Sequence, residues 1–424
     1  MKETSRKNDA NRQRKGVALA GGRIYSPIGA KRDWFEQARR RFLSLDYGGD
    51  DVAKNNFQVM DSDIHLQEPK DLWQRYTDKK FRDDAPKQVP VGDGSGRMHM
   101  VIAGRAVPPE QKDETRLAWA SRHLEDHRFD EDKARAWDNV SMINAMNREG
   151  IDRAVVFPTM GLYAIATDAI SSQLALAISQ AYNNWLSEFV SIDPKRLGGI
   201  AMVPPHDAEL AALEARRAVT KLGLKGVFVR PNPYHGRTWN DPYYDPLWAA
   251  LEDVNAPVCF HEANAPDLPF AGDRFESVFL QHIACHPMEQ MMAMISMIAG
   301  GVMERHKKLR VAFLEGNCSW LPLLLWRMDG HAEYRGRYQA PYLKKKPSEY
   351  FAEGRCFVSV DCDESPAKLV VDSVGDESLV FSTDYPHSDS KYPHAVEEFF
   401  KVEMPQKSRQ KILWDNTHRL YAWK

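Results

Sequence analysis

The stretch VMDSDIHLQEP, residues 59–69, places Asp61, Asp63 and His65 at every second position. Because side chains alternate between the two faces of a β-strand, all three leave the same face if this stretch is a strand. Two carboxylates and an imidazole on one buried face cost free energy unless something pairs with them. The stretch therefore predicts a strand whose polar face is turned towards a site.

Seven further runs rich in Val, Ile and Phe follow along the chain, and helical patterns fill most of the gaps between them. Near-continuous apolar strands are typical of a parallel sheet that is buried on both faces. The eight predicted strands are 57–65, 151–158, 197–204, 224–231, 256–262, 309–315, 356–361 and 378–384. Alternation with helices predicts an α/β protein, a closed (β/α)8 TIM barrel. The alternative is a doubly wound open sheet, but no glycine-rich dinucleotide loop follows the first strand.

Three of the predicted helices bear on later observations. The pattern of 171–190 has Ser171 or Ser172 available as a cap, and that of 206–223 stops at Gly223. A third helix is expected over 286–307, with His286 at its start because Pro287 follows.

Three segments organise the chain. Residues 1–54 form a predicted N-terminal arm, and 1–41 carry twelve Lys and Arg against four Asp and Glu. Such an arm can hold a nucleic acid, or it can be solvated or embrace another subunit. The barrel occupies 55–424, and the long stretch between its first two strands, 66–150, is a predicted lid or insertion subdomain over the barrel mouth.

Composition excludes several classes of protein. The chain is 43% hydrophobic and 27% charged with a net charge of −2, so there is no global electrostatic case for a nucleic acid or an anionic membrane as partner. The longest apolar stretch, 291–303, is short of the ~20 residues that a spanning helix needs. The five cysteines form no CxxC pair, which favours reduced thiols in the cytoplasm. We expect a small-molecule substrate and a homo-oligomer, a dimer.

Polar residues collect at the ends of the predicted strands. Asp63 and His65 end strand one, His261 strand five and Glu315 strand six, and Asp384 ends strand eight. A parallel barrel has its active site at the carboxyl ends of its strands, and a buried cluster rich in carboxylates favours a bound cation. Alternatives remain for each residue: a histidine satisfied within the core, a helix cap for Glu315 and a turn for Asp384.

Five motifs resemble the amidohydrolase superfamily, in the amidohydrolase-related branch that includes aminocarboxymuconate-semialdehyde decarboxylase. The resemblance covers roughly residues 55–424. The motifs are DSDIHLQEP (61–69), GLKGVFVRPN (223–232), CFHEAN (259–264), the segment 286–329 and FSTDYPH (381–387).

The resemblance implies a metal site. Asp63 and His65 take the place of the family's His-x-His pair, His261 is the strand-five ligand, and Asp384 is the strand-eight aspartate. Two positions depart from the family pattern, because Asp63 replaces a histidine and Glu315 stands at the strand-six position. Both departures exchange nitrogen for anionic oxygen, so zinc has iron and manganese as alternatives. Either one or two ions fit this donor set.

Further candidates surround the predicted metal. Arg230, Asn232 and His387 are candidates for substrate binding, with a salt bridge to a nearby acid as the alternative for Arg230. His286 is a candidate catalytic group, either stabilising charge or protonating a leaving group. Asp61 is expected to turn away from the metal and to anchor hydrogen bonds.

Three functions are compatible with this site. The main prediction is a metal-dependent hydrolase of an amide, ester or thioester bond, with Asp384 as the base that takes a proton from water. The alternative is metal-dependent, non-oxidative decarboxylation of an aromatic or enol carboxylate, with Arg230 as the discriminating residue. A non-catalytic barrel that serves as a binding protein is the third.

Overall fold

The computed structural model describes residues 55–90, 98–107, 126–263 and 266–423. The predicted arm over 1–54 lies outside the described residues. Eight parallel strands form one sheet in which each strand pairs with the next strand of the series along the chain. These strands are β1 (Met60–Leu66), β5 (Arg153–Pro158), β6 (Leu197–Met202), β7 (Gly226–Val229), β8 (Val258–His261), β9 (Val311–Leu314), β10 (Cys356–Asp361) and β11 (Leu379–Ser382). The predicted TIM barrel is confirmed.

The first and last strands meet at a seam that closes the barrel. The Ser62 hydroxyl donates to the carbonyl of Phe381 over 2.7 Å. The Ser382 hydroxyl donates to the carbonyl of Asp63 over 3.1 Å. Small hydroxyl side chains thus supply hydrogen bonds between β1 and β11 that a backbone ladder supplies elsewhere in the sheet.

Helices follow the strands and form the outer layer. They are Leu72–Tyr76, Asp130–Ala134, Asn139–Glu149, Gly161–Ala164, Ser172–Val190, Ala208–Leu222, Asp245–Asp253, Val278–Met294, Val302–Arg305, Leu321–His331, Arg337–Gln339, Pro347–Ala352, Ala367–Val374, Ala395–Lys401, Gln406–Gln410 and Asn416–Tyr421. Short 3₁₀ turns occupy Lys79–Phe81, His127–Phe129, Pro242–Tyr244 and Ala271–Arg274, and π-helical turns occupy Ile295–Ala299, Ala332–Gly336 and Lys411–Asp415. Within the described part of the chain, none of these helices is long and apolar enough to cross a bilayer.

Local capping explains where the long helices begin and end. The Ser171 hydroxyl accepts a hydrogen bond from the Leu174 amide, which selects Ser171 of the two predicted caps. The next helix is capped by Asp207 and ends at Gly223, whose φ of 74° is the left-handed conformation that glycine adopts without a Cβ clash. Both predicted helix ends are confirmed.

The helix that carries His286 begins earlier than predicted. It starts at Val278, so His286 lies in its middle and Pro287 lies inside it. A proline inside a helix removes one backbone hydrogen bond. The buried side of this helix, with Cys285, His286, Glu289 and Gln290 packed inwards, holds the helix together across that point. The prediction that the helix starts at His286 is therefore wrong.

The insertion between β1 and β5 has its own small sheet. Strands β2 (Lys87–Pro90), β3 (Met98–Ile102) and β4 (Arg105–Ala106) pair antiparallel. The insertion ends in the helix Asn139–Glu149, which leads directly into β5. The assignment of 66–150 as a lid stays a prediction.

Candidate metal centre

Five predicted ligands come from four strands whose carboxyl ends meet at one mouth of the barrel. Asp63 and His65 belong to β1, and His261 is the last residue of β8. Glu315 directly follows β9, and Asp384 lies two residues beyond β11. A parallel barrel brings these strand ends together although they are far apart along the chain.

The two histidines are held with their Nε2 atoms facing each other. His65 Nδ1 lies 2.8 Å from the carbonyl oxygen of Pro158, and His261 Nδ1 lies 2.8 Å from that of Glu262. Because a carbonyl only accepts, both Nδ1 atoms carry a proton, so each Nε2 is the atom that can take a cation or a second proton. Burial opposes the charge on His261, but Asp63 and Glu315 outweigh it and raise the pKa of His261 well above its usual value. The two Nε2 atoms are 3.0 Å apart. Two lone pairs aimed at each other at that distance repel unless a proton or a cation lies near them.

Asp63 supplies the negative charge beside these nitrogens. Its Oδ1 lies 3.4 Å from His65 Nε2, and its Oδ2 lies 3.2 Å from His261 Nε2. The carboxylate is fully buried, and neither oxygen has a hydrogen-bond donor. Since a buried carboxylate without donors is strongly destabilising, this arrangement fits a cation at the point where Asp63, His65 and His261 converge.

Glu315 bridges the histidine pair to a third imidazole. Its Oε2 lies 2.9 Å from His261 Nε2, and its Oε1 lies 3.2 Å from His286 Nε2. His286 in turn contacts Cys285 Sγ through Nδ1 at 3.1 Å. The helix-cap alternative for Glu315 is not what the structure shows, because Glu364 accepts the Cys318 and Ser319 amides at the start of the next helix.

Asp384 and His387 form a pair at the mouth. Asp384 Oδ1 lies 2.7 Å from His387 Nδ1 and 3.5 Å from His65 Nε2. The backbone of Asp384 is left-handed, with φ of 57°, and that of Glu315 is similar, with φ of 50°. Such a conformation is uncommon for residues other than glycine and is found where the surroundings fix it, often at functional sites.

Burial and neighbouring charges shift the pKa values in opposite directions. Burial, with His387 and His261 nearby, lowers the pKa of His65 well below its usual value, so the imidazole stays neutral as a metal ligand must. Burial raises the pKa of Asp384 to about 7. Burial also opposes the charge on Glu315, but His261 and His286 outweigh it and hold the pKa of Glu315 well below its usual value.

Asp61, the first residue of the alternating row, anchors the seam as expected. Its Oδ1 accepts from the Asp63 amide over 3.0 Å, and its Oδ2 accepts from the Thr383 hydroxyl over 2.5 Å. Burial raises the pKa of Asp61 well above its usual value. Asp61 therefore ties the strand that carries Asp63 and His65 to the segment that carries Asp384.

Arg230 and Asn232 are not joined to the five ligands by a hydrogen bond or an ion pair. Arg230 is fully buried and its Nη2 lies 2.5 Å from Glu262 Oε1, while its Nε donates to Asn232 Oδ1 over 3.0 Å. Its remaining donors reach the carbonyls of Leu162 and Ala263. The salt bridge that was the alternative for Arg230 is what the structure shows.

Two further groups of the site, the Thr159 hydroxyl and the Pro158 carbonyl, were not singled out from the sequence. Thr159 Oγ1 lies 3.3 Å from His387 Nε2, and the Pro158 carbonyl fixes the His65 ring. Asp361 Oδ2 accepts from Asn317 Nδ2 over 2.5 Å. Thr159 directly follows the second predicted strand, and this position could have identified it. A backbone carbonyl such as that of Pro158 cannot be identified from the sequence, because every residue has one.

Several known proteins resemble this chain over most of its length. The chain is 30% identical over 262 residues to 2-amino-3-carboxymuconate-6-semialdehyde decarboxylase of Dictyostelium discoideum, covering 61% of this chain and 69% of that protein. It is 26% identical over 297 residues to gamma-resorcylate decarboxylase of a Polaromonas species, covering 66% and 86%.

Solved structures share the fold. An amidohydrolase from Mycobacterium avium subsp. paratuberculosis matches with a TM-score of 0.69 at 23% identity, covering 87% of this chain and 98% of that one. The manganese complex of 5-carboxyvanillate decarboxylase from Novosphingobium aromaticivorans matches with a TM-score of 0.61 at 18% identity, covering 87% and 96%.

The family model described as Amidohydrolase matches residues 61–423, from the first aspartate of the β1 row to the end of the barrel. The chain therefore belongs to the amidohydrolase family.

Proposed function

We propose that this enzyme is a divalent-metal-dependent decarboxylase of a small aromatic or enol carboxylate. The observation that carries the proposal is the 30% identity over 262 residues to a decarboxylase of the same kind of substrate. The geometry adds an acid and a base in contact at the mouth, Asp384 and His387, 2.7 Å apart. The main prediction from the sequence, a hydrolase, lacks support of this kind and stays a prediction.

The residues that would hold the ion are Asp63, His65, His261, Glu315 and Asp384. Three carboxylates with two imidazoles are a hard donor set, which favours manganese or iron over zinc. Manganese is also the ion in the 5-carboxyvanillate decarboxylase complex that shares this fold. When bound, the ion supplies positive charge that holds an anionic substrate and stabilises the charge that builds up on it.

Decarboxylation needs one proton. The bond between the carboxylate carbon and the substrate breaks, carbon dioxide leaves, and the electron pair left on the substrate carbon takes up a proton. Asp384 is placed to deliver that proton, because its side chain is partly open to the mouth and its Oδ1 lies 2.7 Å from His387 Nδ1. His387 is in contact with Asp384 and restores the proton after each turnover.

Imidazoles, not Arg230, would bind the substrate's anionic groups. Glu262 already neutralises Arg230 in a fully buried pair. His286 and His387, in contrast, keep 10% and 19% of their side chains exposed next to Glu315 and Asp384. We therefore assign the substrate contacts to His286 and His387, while Arg230 and Asn232 support the strand ends from behind.

The experiment compares two reactions in labelled water. Enzyme loaded with Mn²⁺ is given gamma-resorcylate and 5-carboxyvanillate, and in parallel a panel of aryl esters and amides, in deuterated water and in water enriched in ¹⁸O. We expect release of carbon dioxide, deuterium on the product carbon and no ¹⁸O in the aromatic product. Cleavage of an ester or amide with ¹⁸O in the released acid, without decarboxylation, would replace the proposal by the hydrolase. Chelated enzyme is the control.

A further inference from the structure

The segment that begins with β1 carries a further acid, Glu68, just beyond the strand. Glu68 lies three residues after His65 and is 8% exposed. Its Oε2 accepts a hydrogen bond from the Met160 amide over 2.9 Å, and its Oε1 accepts one from the Gly161 amide over 2.6 Å. One buried carboxylate thus holds two consecutive amides of the chain that leaves β5, and we call residues 158–161 the bracket loop.

Burial of this carboxylate costs free energy that its hydrogen bonds must offset. Burial raises the pKa of Glu68 to about 7, and the backbone amides of residues 159–161 oppose that rise. A hydrogen bond from an amide to an ionised acceptor is stronger than one between neutral groups. Buried carboxylates persist where such bonds compensate them. The ionised side chain therefore favours the conformation in which the bracket loop points its amides at Glu68.

Gly161 shows how closely the carboxylate approaches the backbone. A Cβ at this position would lie 2.6 Å from Pro158 Cβ and 3.0 Å from Glu68 Oε1. Contact between two carbon atoms is most favourable at about 3.5–4.0 Å, so an added methyl group would push the loop away from the carboxylate. Glycine at this position therefore lets Glu68 reach the two amides.

The other side of the bracket loop contacts two imidazoles of the site. The Pro158 carbonyl accepts a hydrogen bond from His65 Nδ1 over 2.8 Å, and Thr159 Oγ1 lies 3.3 Å from His387 Nε2. The Pro158 carbonyl and the Thr159 amide belong to one planar peptide unit. A carboxylate that holds the amide side of this unit therefore also sets the direction of the carbonyl that His65 uses.

The hydrogen-bond ladder between β1 and β5 ends where the bracket loop begins. Its last pair places Leu66 opposite Pro158. Past that pair, the two hydrogen bonds of Glu68 join the segment that follows β1 to the bracket loop. We infer that Glu68 is a positioning residue, which acts on His65 and His387 through this loop. The effect on His65 concerns metal binding alone, whereas the effect on His387 rests on the proposed decarboxylation.

The variant Glu68→Gln tests the effect on His65. It keeps the size of the side chain, but it presents one carbonyl oxygen and an NH2 group where two amides need acceptors. Isothermal titration of the folded chain with Mn²⁺ should show an affinity lower on the order of tenfold, since groups that orient metal ligands typically contribute 10–100-fold. Glu68→Asp keeps both oxygens on a shorter side chain, so its affinity should lie between those of the wild type and Glu68→Gln.

Glu149 provides the matched control. It is also buried, and it accepts the Ala395 and Val396 amides over 3.0 and 3.2 Å at the start of another helix. Glu149→Gln should lower the melting temperature about as much as Glu68→Gln does, but it should leave Mn²⁺ affinity unchanged. Wild-type affinity in Glu68→Gln, or an equal loss of affinity in Glu149→Gln, would overturn the inference.

A second readout needs neither metal nor substrate. In chelated protein labelled with ¹⁵N-histidine, the Nδ1 proton of His65 should give a hydrogen-bonded resonance, which His65→Ala identifies by its loss. Glu68→Gln should shift or broaden this resonance, whereas Glu149→Gln should leave it unchanged. If Glu68→Gln misfolds, Gly161→Ala takes its place, because it displaces the bracket loop while the carboxylate is present. An unchanged resonance in the variant that folds would overturn the inference.

Turnover separates this inference from the proposed reaction. Thr159→Val removes the hydroxyl beside His387 and leaves the hydrogen bonds of Glu68 in place. It should lower kcat several-fold at saturating Mn²⁺ without weakening Mn²⁺ binding, and an unchanged kcat would overturn the effect on His387. If the wild type decarboxylates no substrate, the proposed function fails, while Mn²⁺ affinity and the His65 resonance still decide the role of Glu68.

Discussion

At the scale of single residues, the centre of the site is a pair of imidazoles and a carboxylate that converge on one point. The Nε2 atoms of His65 and His261 face each other at 3.0 Å, and each Nδ1 proton is committed to a backbone carbonyl. The Asp63 carboxylate lies beside both nitrogens, and neither of its oxygens accepts a hydrogen bond. One cation at this point satisfies three groups at once, which is why we expect each histidine to be needed for binding.

Replacing either His65 or His261 with Ala should reduce Mn²⁺ affinity by more than the roughly 10–100-fold typical of outer partners of a metal site. Each change removes a nitrogen ligand and leaves Asp63 buried without compensation. Isothermal titration and elemental analysis of the purified variants measure the loss. His206→Ala is the matched control, since His206 is also buried but hydrogen-bonds to the Thr167 carbonyl away from the site. Full occupancy in both ligand variants would remove the metal assignment.

The variant Asp384→Asn keeps the size of the side chain but removes its ability to transfer a proton. Asn tolerates the left-handed backbone at this position, φ of 57°, at least as well as Asp, so the fold should persist. The variant cannot carry the proton, and loss of a general acid or base typically costs 10²–10⁴-fold in rate. The measurement is turnover at saturating Mn²⁺ with metal content verified. Near wild-type turnover in a fully loaded variant would contradict the role of Asp384 in either decarboxylation or hydrolysis.

Glu289 gives a prediction about pH and stability. Burial, with the Glu262 carboxylate nearby, raises the pKa of Glu289 to about 8. The folded chain therefore keeps this proton while the unfolded chain releases it above about pH 4.5, so stability falls as the pH rises from about 4.5 to 8.

Glu289→Gln imitates the protonated side chain and should remove that loss. The variant should melt like the wild type at pH 5 and a few degrees higher at pH 8, a difference on the order of 3 kcal/mol in free energy. Thermal melts monitored by circular dichroism across this pH range provide the measurement. Equal melting temperatures at pH 8 would show that Glu289 ionises freely in the folded chain.

At the scale of elements, the sequence predicts the strand ends well because two independent patterns coincide there. Apolar runs fix where strands lie, and the polar residue that ends each run then falls at the barrel mouth, as Asp63, His65 and His261 do. The hydrogen-bond partners of the two histidine Nδ1 atoms are not predictable from the sequence, because they are backbone carbonyls such as that of Pro158. The helix through Pro287 was misplaced because tertiary burial outweighs a local signal.

Arg230 shows a second limit of prediction from sequence. The residue ends one predicted strand and Glu262 ends the next, so a salt bridge and a substrate contact were equally compatible with the pattern. Only the register of the two strands, with Val229 opposite Phe260, decides that the two side chains meet.

Arg128 and Phe129 of the insertion contact the segment that follows Asp384 and His387. Arg128 donates from Nη1 to the Ser390 carbonyl over 2.7 Å and from Nη2 to the Ser388 carbonyl over 2.8 Å. Phe129 stacks on Tyr392 with ring centroids 5.5 Å apart. These contacts hold the segment that follows Asp384 and His387, so this part of the insertion helps to position the pair that we propose for proton transfer.

Arg128→Leu should therefore loosen that loop while the barrel stays folded. We expect faster proteolysis between 386 and 393 and about tenfold weaker Mn²⁺ binding. A loop without these hydrogen bonds to its carbonyls is more mobile, so it loses more conformational entropy when the ion binds. Arg128→Lys should give protease resistance and Mn²⁺ affinity between those of the wild type and Arg128→Leu, because an ammonium lacks the planar guanidinium that reaches two carbonyls.

The matched control for this change is Arg75→Leu. Its side chain is 32% exposed, as is that of Arg128, and its ion pair with Asp71 stays within the insertion. If Arg128→Leu and Arg75→Leu gave the same cleavage pattern and the same Mn²⁺ affinity, Arg128 would have no role in positioning the loop.

At the scale of the whole molecule, the ligands lie on both sides of the seam that closes the barrel. Asp63 and His65 belong to β1, the first strand, and Asp384 follows β11, the last. Hydrogen bonds of the Ser62, Ser382 and Thr383 hydroxyls join β1 to β11 and the residue after it, and the His65 amide donates to the Tyr385 carbonyl over 2.6 Å. A bound ion adds a link across this seam, so metal binding and barrel closure are thermodynamically coupled.

Metal removal should therefore destabilise the whole barrel. A ligand that binds only the folded state stabilises it by about 2.7 kcal/mol at a free concentration 100 times its dissociation constant. Dialysis against a chelator should lower the melting temperature by several degrees, and Mn²⁺ should restore it in a concentration-dependent way. His261→Ala should melt at the same temperature with and without added Mn²⁺, which excludes nonspecific salt effects. If chelation left the wild-type melting temperature unchanged, or if His261→Ala responded to Mn²⁺ as the wild type does, the ion would not lie where β1, β8 and β11 meet.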